Sequence, residues 1–194
     1  MPFYYPPDAS PEGLWERFRR LGFCAQIVGE HGSGKSSLLA ALLKTEVWQQ
    51  VPQQLFSLRP GRAHGLKILR QLWRLLPGAL AVIDGFEQLS LPIQAASAAL
   101  CKLRGVKLLA THHHRGFLPT LIHLKPSFEL AVFLVRECLR EDASWRTSRG
   151  LPIVGIQEEE IWKAYYQNRG NLREMFFSLY DIYERRAREV TSRC

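Results

Sequence analysis

Apolar and polar positions along the chain follow two rhythms. Short runs of strand length occur at FCAQIV (23–28), QLFSLRP (54–60), ALAVID (79–84), KLLAT (107–111) and, more weakly, LIHL (121–124). ALAVID is apolar almost throughout, the pattern of a strand covered on both faces. The segments between have helical spacing. Ser10, Pro11 and Glu12 form a helix start, and the helix they open carries Leu14, Trp15 and Phe18 to about Leu21, stopping at Gly22. SLLAALLKTEVW, from Ser37, predicts one continuous helix. Gly65 to Leu76 predicts another, ended by Pro77-Gly78, and Pro92 opens one that reaches about Leu103.

Beyond Pro126 only helices are predicted: 127–141, 157–168 and 171–189, with DASWRTSRGLPIVG as a loop between the first two. In the last helix Leu172, Met175, Phe176, Leu179, Ile182 and Tyr183 make one packing stripe. Alternating strands and helices followed by helices alone predict an α/β fold: a mostly parallel sheet with helices on both faces over residues 1–125, and a small helical subdomain over 126–194.

Composition narrows the picture modestly. The chain has 194 residues, 46% hydrophobic and 23% charged, enough to bury a core without disulfides or metals. Cys24, Cys101, Cys138 and Cys194 are scattered and fit buried thiols in a reducing compartment. The N-terminus lacks the pattern of a signal peptide, and no apolar run approaches the roughly 18 residues of a membrane span. A cytoplasmic protein is expected. The net charge of +8 favours anionic partners, an unidentified protein or a nucleic acid. The arginine concentrations at Arg17–Arg20 and Arg185–Arg193 read first as solvated helix faces, with an anionic partner as the alternative.

The sharpest chemical signal is GEHGSGKS: Gly29, Glu30, His31, Gly32, Ser33, Gly34, Lys35 and Ser36, followed by Ser37. It matches G-x-x-x-x-G-K-[ST] between an apolar strand and a helix, the context in which that pattern cradles phosphates. Backbone N–H groups and the positive helix end face the anion. Lys35 supplies a compact charge to the β- and γ-phosphates, and the Ser36 hydroxyl is placed for Mg²⁺. Asp84 ends an apolar strand, where burial of a carboxylate needs a partner such as a metal ion or its water shell. Glu87, three residues on, is either the acid that activates water or part of a turn. THHHR (111–115) cannot aim its histidines one way as a metal set. His112 is a candidate for a γ-phosphate contact. Phe3, Tyr4 and Tyr5 are candidates for stacking on a base.

These residues resemble the P-loop NTPases, and among them the AAA+ and related STAND ATPases. Lys35 and Ser36 fall on the Walker A lysine and serine, and Asp84 on the Walker B aspartate. Thr111, at the end of KLLAT, falls on sensor 1. Arg173, in RGNLREMFFSLY (169–180), falls on the sensor 2 arginine of the lid helix. Arg115 lies where AAA+ proteins often present an arginine finger to a neighbouring subunit. The resemblance implies a three-layer P-loop fold with a C-terminal helical lid, bound ATP and Mg²⁺, and hydrolysis coupled to a macromolecular partner, with homo-oligomer formation compatible. One departure stands out: Gly85 follows Asp84, where AAA+ proteins place the catalytic glutamate. That leaves open a non-hydrolysing nucleotide switch or scaffold. A small-molecule kinase fits less well, since its lid would be inserted within the sheet region.

Overall fold

The computed structural model describes Tyr5, residues 9–60 and residues 65–191; Phe3, Tyr4 and Cys194 lie outside them. Two compact units are present, Pro2–Glu30 with Gly34–Leu124, and Lys125–Cys194 with the loop tip His31–Ser33.

The first unit is a five-stranded parallel sheet in the order β2-β3-β4-β1-β5. Its strands are β1 (Cys24–Gly29), β2 (Gln53–Ser57), β3 (Leu80–Asp84), β4 (Lys107–His112) and β5 (Thr120–Leu124). The period-2 alternation of strand side chains splits the core in two. Leu80, Val82, Leu109, Ala25 and Ile27 face one side, under α1 (Pro11–Arg20), α2 (Lys35–Leu42) and α3 (Glu46–Gln49). Ala81, Ile83, Leu108 and Ala110 face the other, under α4 (Gly65–Trp73) and α5 (Leu91–Arg104). Burial on that side pushes the Cys101 thiol up to about 12, so it is inert at neutral pH.

Local chemistry sets the helix ends. Ser10 accepts a hydrogen bond from Gly13 N–H at 3.0 Å, capping α1. The expected single helix after the glycine-rich loop is instead two. The chain leaves α2 at Leu43, and Thr45, in extended conformation, starts α3 with its hydroxyl donated to Leu42 O at 2.7 Å. The break lets Trp48 turn inward. Its ring stacks on Phe18 at 5.5 Å, meets Trp15 edge-on at 5.1 Å, and donates its indole N–H to Pro11 O at 3.0 Å. Trp48→Ala is expected to cost about 3–5 kcal/mol, the range for a large buried aromatic, and a urea titration measures it; a loss below about 1 kcal/mol would mean the site collapses freely.

The second unit contains α6 (Phe128–Thr147), α7 (Glu158–Gln167) and α8 (Leu172–Thr191) around Val135, Ile161, Met175 and Leu179. The stripe expected on the last helix is this core. α6 runs to Thr147, six residues past its expected end, because Arg146 is held by Asp142 at 2.9 Å and by the Tyr183 hydroxyl of α8 at 2.7 Å. In the same unit Gly32 (φ +73°) lies so close to the Asn171 side chain that no Cβ fits there. No helix among the described residues is long and apolar enough to cross a membrane.

Candidate functional site

β1 ends at Gly29, β3 at Asp84 and β4 at His112, so their carboxyl ends lie side by side. In open α/β sheets ligands gather at this edge. After Glu30 the loop needs left-handed backbone at Gly34 (φ +88°), the N-cap of α2, and no side chain caps that helix. Its first N–H groups are therefore available to an anion. Ser36 and Ser37 are exposed in the first turn. Glu30 and His31 are exposed, and Gly29 is buried. Ser33 is buried, and its hydroxyl has no hydrogen-bond partner among the described residues. A buried orphan of this kind calls for a ligand or water to complete it.

Lys35 is buried, only 8% exposed. Its ammonium donates to Gly29 O at 2.5 Å, to Glu30 O at 2.7 Å and to His113 Nδ1 at 3.2 Å. His113 Nε2 in turn stands 2.9 Å from Glu87 Oε1. An ammonium can only donate, so Nδ1 accepts and the ring carries its proton on Nε2, donated to Glu87. Lys35 and Glu87, distant in sequence, are thus joined through one histidine. The other glutamate oxygen, Oε2, is buried without a partner among the described residues.

Asp84 and Thr111 form a second link. The Thr111 hydroxyl donates to Asp84 Oδ1 at 2.7 Å and accepts the Gly85 N–H at 2.8 Å. Gly85 has φ +87°, and a Cβ there would stand 3.0 Å from Leu58 O. The backbone therefore excludes a glutamate directly after Asp84. It turns instead into a single 3-10 turn, Phe86–Gln88, which brings Glu87 back toward the strand ends. Asp84 Oδ2 makes no hydrogen bond among the described residues; with the Ser36 hydroxyl, it is a donor fit for a hard cation.

The expected site residues Lys35, Asp84, Glu87 and Thr111 all belong to the first unit. Arg173 is exposed in the first turn of α8, within the second. Arg115 is exposed in the β4–β5 loop, and Tyr5 is partly buried against the α1–α3 core. His112 Nδ1 accepts the His114 N–H at 3.2 Å. The histidine that reaches the site is His113, which sequence reasoning missed. The signal was available: residues two apart at a strand end share a face, and His113 stands two beyond Thr111.

Two solved structures share this architecture. A point variant of Thermotoga maritima RuvB aligns over 88% of this chain and 59% of its own, with a TM-score of 0.54 and 14% identity. The T. maritima RuvB Holliday junction branch migration motor aligns over the same shares, with a TM-score of 0.54 and 16% identity. The fold is that of the AAA+ P-loop ATPases. At these identities the likeness is one of fold, and the chain spans 59% of the length of the RuvB chains it matches. No protein-family model and no curated sequence matches the chain. Within this fold, β4 lies between β1, which leads into the glycine-rich loop, and β3, which ends in Asp84.

Proposed function

We propose that the chain is a Mg²⁺-dependent ATPase that couples its nucleotide state to a macromolecular partner. The linkage Lys35–His113–Glu87 carries this reading, because it joins a phosphate-binding cation to an acid that can act on water. The α2 N-terminus and Lys35 would bind the β- and γ-phosphates. Ser36 and Asp84 would hold Mg²⁺, which neutralises charge on those phosphates. Thr111 fixes one oxygen of Asp84 and so orients the other. Glu87 would orient and deprotonate water, with His113 setting the direction of its carboxylate. Arg173 and Arg115 are proposed as contacts made in other nucleotide or assembly states, Arg115 reaching toward a second copy of the chain.

A second reading has its own support. Glu87 is held by His113 and Lys35 is turned onto the carbonyls of its own loop, as in a switch that binds ATP and does not cleave it. Phosphate release from ATP with Mg²⁺, alongside binding of a fluorescent ATP analogue, separates the two. Release that needs no added acceptor is expected, whereas ADP formed only with an added acceptor, and without free phosphate, would establish a kinase instead. Binding without release, with or without partners, would leave the switch. Absence of binding would overturn both.

A further inference from the structure

The chain's excess charge is not spread over it. Residues 47–128 hold ten of its 26 lysines and arginines but only two acids, Asp84 and Glu87, so this stretch carries a net +8, the whole of the chain's +8. The remaining residues balance, 16 basic against 16 acidic. The two acids belong to the candidate site, so α4 and α5 themselves carry no acid, and their charged side chains are all cationic.

On α4, Lys67, Arg70 and, just past its end, Arg74 recur at i, i+3 and i+7, opposite the buried Ile68 and Leu72. α5 lies alongside: Gly65 meets Ile93 near the helix starts, and the Arg104 guanidinium lies 4.9 Å from the centroid of the Trp73 ring near their ends. Arg104 thus extends the α4 stripe, while Lys102, two residues before it, lies on the other flank of α5. None of these five cations has an ion pair among the described residues. The second unit is the contrast, with Arg136, Arg140, Arg146, Arg186 and Arg188 each paired to an acid. A preference of cations for helix C-termini explains Arg70, Arg74, Lys102 and Arg104. It does not explain Lys67, nor why the first turns of both helices, where acids are favoured, have none.

We infer that the α4–α5 face is a binding surface for single-stranded nucleic acid. Unpaired arginines and lysines suit phosphates. From Lys67 to Arg74 is about 10 Å along a helix, long enough to meet more than one phosphate of an extended strand. Trp73 adds what an acidic protein would not need: a ring 54% exposed, steadied by Arg104, on which a base can stack. The inference names the partner class of the proposed ATPase, but the binding it predicts needs no nucleotide.

The test is fluorescence anisotropy of a labelled oligo-dT 20-mer with the full chain, without ATP or Mg²⁺, over a series of salt concentrations. Any failure is then separate from a failure of the ATPase reading. For single strands the slope of log K against log[salt] is about −0.7 per phosphate neutralised, so the four cations of the stripe set a limit near −2.8. K67E/R70E/R74E is expected to weaken binding more than about tenfold and flatten the slope by about 2. R17E/R20E/K44E, with the same charge change on the opposite face of the sheet, is expected to stay within about twofold of the wild type; circular dichroism checks that both variants are folded. Trp73→Ala is expected to cost roughly tenfold with the slope unchanged. The inference is overturned if the wild type does not bind, or if the control triple loses as much as the α4 triple. A silent Trp73→Ala would overturn the single-strand assignment in favour of a duplex. Equal competition by polyglutamate of matched charge would transfer the surface to an acidic protein.

Discussion

Lys35→Ala is expected to lower the affinity for ATP by about 10–100-fold, the equivalent of losing one or more charge-assisted hydrogen bonds to phosphate. The measurement is titration of a fluorescent ATP analogue with Mg²⁺. In this structure the ammonium already bonds two carbonyls of its own loop and one histidine nitrogen. ATP must draw it away, so the variant also removes a competitor, and the loss will be smaller than the full strength of the contact. Unchanged affinity would place the phosphates elsewhere and remove the basis of the ATPase reading. A parallel thermal melt is expected to show a measurable destabilisation, because the alanine removes the donor to the buried Gly29 carbonyl as well as to Glu30 O.

Glu87→Gln is expected to leave ATP affinity within about threefold while turnover falls by about 10²–10⁴, the contribution of a general base. Glutamine keeps the shape and the oxygen that accepts from His113, and loses the basicity. His113→Asn in the same assay is expected to cost only about tenfold, since the acid remains and only its orientation relaxes. If Glu87→Gln hydrolyses ATP like the wild type, Glu87 is part of a turn and nothing more. If His113→Asn is as damaged as Glu87→Gln, the histidine touches the reacting groups itself rather than positioning the acid.

The sheet and phosphate loop are legible in the sequence because strand length, apolar content and glycine spacing are local properties. Asp84 is legible for the same reason, as a charge ending an apolar run. What escapes depends on distant partners. The break between α2 and α3 carries no Gly or Pro; it follows from Trp48 reaching Trp15 and Phe18, far back in the chain. The last turns of α6 read as a polar loop until Tyr183 of α8 supplies their partner. His113 is hidden in a run of three histidines, and only the link from Thr111 to Asp84 shows which way the strand end faces. Gly85, as sequence, is a departure that puts catalysis in doubt. Its left-handed backbone is the hinge that returns Glu87 toward the site.

The hydrogen bond from Lys35 to His113 Nδ1 turns the ring into an indicator. While the lysine bonds to it, Nδ1 is an acceptor with a donor in place. When phosphate takes the lysine, that nitrogen loses its donor, and its ¹⁵N resonance must move even though ATP need not touch the imidazole. The chain therefore carries a built-in magnetic label for occupancy of its phosphate loop, readable in solution without attaching a dye to either molecule.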